Sequence, residues 1–170
     1  MSKATETRSA ISRETTLHVR DTCLCLHTRR AARALARRFD EAFRPLGLTN
    51  GQFSLMMALN RPDPPRIGDL ADFLAMDRTT LTAALKPLER RGLVTVAADA
   101  KDRRSRRLRL TDAGRALLAD AVPIWQRTHD AIDALLDDGA PDAVRAALGV
   151  LARMDDGGGD SPPFSKRAFR

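Results

Sequence analysis

The chain has 170 residues, 43% hydrophobic and 30% charged, a length and balance that suit one globular domain with a sizeable core. It has no apolar run of about eighteen residues, and "MSKATETRSAISRETT" lacks the apolar stretch of a signal peptide, which argues against a membrane span or export and for the cytoplasm. The net charge of +7 is unevenly placed: Asp77 to Arg109 holds ten bases against four acids, whereas Asp130 to Asp156 holds seven acids against two arginines. A basic block of that density points to a polyanion, and nucleic acid is the commonest one in a cytoplasm.

Residues 1–15 are polar and aperiodic and read as a disordered segment. Residues 16–48 read as a dimerisation helix and its end. Leu24, Ala31, Leu35, Phe39 and Phe43 recur at helical steps, and Pro45 and Gly47 stop the pattern. Thr49 with Gln52 forms a capping box, and Leu48 with Phe53 a hydrophobic staple, so a helix of about ten residues starts at Asn50. "RPDPPR" breaks it. Two short helices with a tight connection follow. The first carries Ile67, Leu70, Phe73 and Leu74; the second is capped by Asp77, carries Leu81, Leu85 and Leu88, and ends at Gly92. Strands are predicted at 93–96 and 107–111, with Val94, Val96, Leu108 and Leu110 facing one way. Thr111 then caps a long helix running to Asp138, bent at Pro123, and Pro141 opens a last helix to Met154. Residues 112–155 read as dimerisation helices and 156–170 as a flexible tail.

The expected fold class is mainly α with a small β-hairpin wing: a winged helix-turn-helix domain over 49–111 plus a helical dimerisation region. At about 100° per residue, Arg78, Thr79, Thr82, Lys86 and Arg90 share one arc of the second short helix, and its leucines share the neighbouring arc. A face of hydroxyls and cations fits the major groove, where Arg bonds guanine and Thr meets a phosphate or a thymine methyl. A surface helix in water is the plainer reading of such a face taken alone. The arginine-rich hairpin that follows favours DNA. Lys101, Arg103, Arg104 and Arg106 are its candidate contacts, with Arg103 and Arg104 near the tip, and Asp102 is a candidate for orienting a neighbouring arginine.

With these residues the sequence resembles the MarR family of bacterial transcription factors. The D-x-R…LT-x-x-G wing signature stands here as Asp102, Arg104, Leu110, Thr111 and Gly114, and "LADFLAMDRTTLTAALKPLERRGLV" resembles the family's helix-turn-helix. The chain departs from the family at Lys101, a wing position often held by Arg, and in its glycine-rich tail. The resemblance implies dimerisation through the first and last helices, with Val144, Leu148 and Leu151 on the stripe of the latter. It also implies binding to a palindromic operator and release by a small molecule or an oxidant. The expected partners are double-stranded DNA, a second copy of the chain and a small-molecule effector, with no membrane; a pocket with histidines and nearby arginines would suit an aromatic acid or another anion.

Family pockets imply His27, Phe53, Met57, Trp125 and His129 as lining candidates, with core or interface packing as the plainer reading of each. "CLCLH" offers Cys23, Cys25 and His27. On one helix the two cysteines diverge, which argues against a metal site, and no metal or cofactor is expected. A redox role for Cys23 or Cys25 is the sharper alternative, because a peroxide-sensing branch of the family holds a reactive cysteine in its first helix. Tyrosines hold that cysteine, and this chain has none. Buried structural cysteines are the plainer reading. The three histidines match no catalytic motif, so no enzyme is expected. A nucleoid-coating protein without sequence preference is the other class.

Overall fold

Three local caps set the frame. Thr49 accepts the Gln52 N–H at 3.2 Å while Gln52 Oε1 accepts the Thr49 N–H at 3.1 Å, a capping box at the predicted place. Asp77 and Thr111 cap two further helices through their side chains. In the computed structural model, residues 10–98 and 106–152 are described. They form α1 (Arg13–Thr22), α2 (Leu24–Phe43), a 3₁₀ turn (Arg44–Leu46), α3 (Asn50–Leu59), α4 (Ile67–Phe73), α5 (Arg78–Arg90), β1 (Val94–Ala98), β2 (Arg106–Leu110), α6 (Asp112–Asp133) and α7 (Ala140–Ala152). The fold is mainly α with one two-stranded antiparallel hairpin. Among the described residues no helix is long and apolar enough to cross a membrane.

The described residues up to Arg37 form one compact unit and those from Arg38 onward another. The first unit corrects the reading of one helix over 16–44. Helix α1 starts at Arg13, capped by Ser12 Oγ on the Thr15 N–H at 3.1 Å. The chain then leaves helical geometry at Cys23 (φ −72°, ψ 103°) and re-enters it at Leu24. The apolar pattern runs through Cys23 without a Gly or Pro to mark the break.

The second unit holds the core. Phe43 stacks on Phe53 with centroids 4.7 Å apart, and Phe39 and Trp125 extend the row on either side at 6.0 and 6.4 Å. Leu70, Leu81, Leu85, Leu88 and Leu108 are all but fully buried beside Met56 and Phe43. Each such leucine contributes about 1.5–3 kcal/mol. The hairpin register pairs Val94 with Leu110 and Val96 with Leu108, so the predicted apolar face is the one that packs inward. Gly114, in the first turn of α6, lies buried against the Leu93 carbonyl. Helix α6 ends at Asp133 rather than Asp138; Gly139 (φ 79°) instead serves the turn into α7.

Helices α4 and α5 meet at a corner closed by a Schellman motif. The Met76 N–H reaches Ala71 O at 2.9 Å, the Ala75 N–H reaches Asp72 O at 3.1 Å, and Ala75 takes φ 50°. The same motif ends α5, where Gly92 (φ 68°) holds the left-handed position.

Candidate nucleic-acid interface

Asp77 fixes where α5 begins. Its Oδ2 accepts the Thr80 hydroxyl at 2.6 Å and its Oδ1 the Thr80 backbone N–H at 2.8 Å. Those bonds, the hydroxyl's foremost, hold the Asp77 carboxyl below the usual carboxylate range. The buried Leu81, Leu85 and Leu88 fix the helix's rotation, which leaves Arg78, Thr79, Thr82, Lys86 and Arg90 together on one exposed face. Thr79, Lys86 and Arg90 make no side-chain hydrogen bond or ion pair among the described residues. The Thr82 hydroxyl donates to Arg78 O at 2.7 Å, so its proton is committed. What Thr82 can offer a base is a lone pair, to an adenine or cytosine amino group, or its methyl, to thymine.

Arg78 also faces a cleft of about 440 Å³ between the start of α4, α5 and β2. Its guanidinium lies against Gly68, where a Cβ would stand 3.1 Å from Nη2. Arg66 and Arg106 line the same cleft, with Thr82 and Asp69. Three arginines against one carboxylate leave the lining of this cleft net positive, which suits a phosphodiester. Arg66 was not anticipated, because it stands at the end of "RPDPPR", which reads only as a helix breaker. The structure makes its backbone an edge to the hairpin: Arg66 bridges Arg107, and the Leu108 N–H reaches Pro65 O at 3.1 Å.

The arginines of the hairpin divide their work. Arg106 and Arg109 are exposed, whereas Arg107 is half-buried and its Nη1 donates to Pro64 O at 2.7 Å. Arg107 therefore anchors the hairpin. Lys101, Asp102, Arg103 and Arg104 lie outside the described residues.

The pocket candidates separate. Phe53, Met57 and Trp125 line one apolar cavity of about 450 Å³ with Phe73, Leu74 and Val122. Among the described residues that line it, Ser54 carries the one hydroxyl and none is charged. His129 is not on that wall; its ring packs 4.8 Å from Trp125, and its Nδ1 lies 3.6 Å from Asp133. His27 belongs to the first unit and shares an open face of α2 with Arg30, Arg33 and Arg37.

The expectation of buried cysteines does not hold, since Cys23 is half-buried and Cys25 exposed, both as free thiols. Cys23 Sγ accepts the Leu26 N–H at 3.4 Å, a helix-capping role that the break at Cys23 makes available. Among the described residues no group of three or more His, Cys, Asp or Glu side chains is placed to hold a metal ion. On α7, Val144 and Leu148 are each 44% exposed and Leu151 is half-buried.

Residues 48–105 match the model of the MarR family, a span that includes α3, α4, α5 and β1. Among curated proteins, the transcriptional activatory protein BadR of Rhodopseudomonas palustris is 42% identical over 72 residues, 41% of either chain. The matches span half or less of the length of the first curated relatives. Solved structures align over more. The M. tuberculosis transcriptional regulator MOSR in complex with DNA is 40% identical, with a TM-score of 0.71 over 77% of this chain and 94% of that one. The transcriptional repressor CouR bound to a 23-mer DNA duplex is 31% identical, with a TM-score of 0.73 over 85% and 100%. The fold is thus that of winged-helix regulators solved on DNA, and the chain belongs to the MarR family.

Proposed function

We propose that this chain is a sequence-specific DNA-binding regulator of transcription, a repressor that binds a palindromic operator as a homodimer and is released by a small-molecule effector. One observation carries the reading: α5 buries its leucines completely and leaves Arg78, Thr79, Thr82, Lys86 and Arg90 on a single exposed face beside the arginine-lined cleft. Such a helix enters the major groove, and the cleft takes an adjoining phosphate. Selection from random DNA tests it. The wild type should return one motif, and Thr82→Ala and Lys86→Ala should each change it, with losses of about 1–3 kcal/mol at the base concerned. No motif from the wild type would mean non-specific coating. An unchanged motif in both variants would place base reading elsewhere.

The apolar residues of α7 support the dimer. None of its residues is buried in the single chain, and Val144, Leu148 and Leu151 form a stripe that a twofold partner would cover. A twofold axis sets two α5 helices about 34–36 Å apart, one turn of DNA. The cavity at Phe53, Met57 and Trp125 supports the effector. Its uncharged wall favours an aromatic or aliphatic group, so the carboxylate of an aromatic acid would have to lie outside it. Release requires that the effector bind the DNA-free form more tightly. Trp125 is the chain's one tryptophan, so quenching of its fluorescence by candidate aromatic compounds reads occupancy directly.

A thiol switch is the second reading, favoured by Cys23 at the break between α1 and α2 with the exposed Cys25 two positions on. Peroxide should lower operator affinity in the wild type and leave a variant with both Cys23→Ser and Cys25→Ser unaffected. Equal loss in both proteins would refute the switch.

A further inference from the structure

Two surfaces of this chain are left uncovered, and their charges are opposite. Helix α2 carries Arg29, Arg30, Arg33, Arg37 and Arg38 and has no acid before Asp40. All five are exposed, and none has a hydrogen bond or ion pair among the described residues. Surface helices ordinarily mix signs. Only Phe39 and Phe43 of α2 are buried, so Leu24, Leu26 and Leu35 also stand exposed among the arginines. The second surface runs across the end of α6 and the turn into α7. From Asp130 to Asp142 there are five aspartates and no base. Arg145 takes Asp133 and Asp142. Asp130, Asp137 and Asp138 are exposed and make no side-chain hydrogen bond or ion pair among the described residues. Leu135 and Leu136 are exposed between them.

We propose that the Arg30, Arg33 and Arg37 row of one copy of this chain docks on the segment from Asp130 to Asp138 of a second copy, guanidinium on carboxylate and leucine on leucine. The three arginines stand at helical steps of three and four, so they share one face. The proposal rests on the reading of the chain as a homodimer and adds what selects the partner. Charge complementarity chooses the occupant. A duplex would meet the arginines but leave the aspartates and the leucines of both surfaces uncovered. A second copy meets all of them, and a twofold axis makes the contact twice. The acidic segment also leads directly into α7, whose Val144, Leu148 and Leu151 form the apolar stripe assigned to the same dimer. The apolar contact supplies affinity and the ion pairs supply choice, because a chain of the same fold without the arginine row would leave these aspartates unpaired.

Two charge-reversed full-length chains test it by native mass spectrometry. One carries Arg30→Glu, Arg33→Glu and Arg37→Glu, the other Asp130→Lys, Asp137→Lys and Asp138→Lys. Alone, each should dimerise at least about tenfold more weakly than the wild type, since each attraction becomes a repulsion. Mixed, the two chains meet as opposite charges at both contacts, and the heterodimer should far exceed the share that random pairing gives. Random pairing would overturn the contact between copies, as would unchanged dimer affinity in both reversed chains. Should a reversal prevent folding, Arg33→Gln with Arg37→Gln carries the test. Rising NaCl should weaken the wild-type dimer more than the variant's, and an equal response would overturn the pairing. Loss of duplex affinity in the Gln variant, with its dimer affinity retained, would reassign the row to DNA. A wild-type monomer would instead refute the dimer reading itself, and this contact with it.

Discussion

Gly114→Ala should destabilise the fold sharply although it sits in a helix, where alanine is ordinarily the better residue. A methyl at position 114 would overlap the Leu93 carbonyl oxygen and stand 3.1 Å from its carbon and 3.3 Å from Leu110 Cδ2. The first obstacle is backbone, so no rotamer change relieves it. Either α6 retreats from Leu93, the residue before β1, or the Leu93 carbonyl turns, and that carbonyl accepts the Thr111 N–H at 3.0 Å. Overpacking costs about 1–3 kcal/mol and the strained hydrogen bond about 1, against about 1 regained from helix propensity. The net is a loss of about 1–3 kcal/mol. Urea unfolding followed by circular dichroism measures it, with Gly51→Ala as the control. Position 51 meets only Thr49 Oγ1, at 4.0 Å, so there alanine should be neutral or stabilising. Equal or raised stability in Gly114→Ala would refute the close approach of α6 to the Leu93 backbone.

Asp77→Ala should lower the melting temperature at neutral pH. The lowered native pKa of Asp77 means its capping contribution is present above the ordinary carboxylate pKa and is lost as pH falls through the native one, so the two proteins should converge in acid. Arg103→Ala with Arg104→Ala should weaken binding to all DNA and reduce the log–log salt slope by about 0.9 for each phosphate no longer neutralised; an unchanged slope would remove these two arginines from the interface. Leu148→Asp with Leu151→Asp should give monomers by light scattering and abolish operator binding together, and a wild-type monomer binding a palindrome tightly would refute the dimer. Ala75→Gly should stabilise the corner between α4 and α5 by up to about 1 kcal/mol, since φ 50° suits glycine; destabilisation in urea would count against that reading.

What the sequence made legible was local. Thr49, Asp77, Gly92 and Thr111 act within one helical turn of their own positions, and each stands where its residue type predicts. The exposed face of α5 was legible for the same reason, because a run of leucines at helical spacing fixes the opposite side. The break at Cys23 was not, since both helices share one apolar period and a thiol rather than a glycine or proline stands between them. The corner at Ala75 was hidden by a residue that ordinarily favours helix. Arg66 and Arg107 needed tertiary knowledge, because only folding brings the segment after α3 alongside β2. The apolar cavity could be anticipated in part: Phe53, Met57 and Trp125 converge, whereas His27 and His129 serve other surroundings.

The C-terminal end of α5 is tied down from one side. Arg91 donates from Nη1 to Gly47 O at 2.7 Å and from Nη2 to Leu46 O at 3.3 Å. These carbonyls belong to the turn after α2, more than forty residues earlier in the chain. Mechanically this is a tie rod. If the turn after α2 tilts, the end of α5 must swing with it or give up both bonds to the guanidinium. The angle at which α5 meets its target is therefore set from both ends, by the Ala75 corner at the front and by a residue of the 3₁₀ turn at the back. A lysine at position 91 would hold the charge but not the two-pronged grip, and would leave the rear of the helix free to pivot.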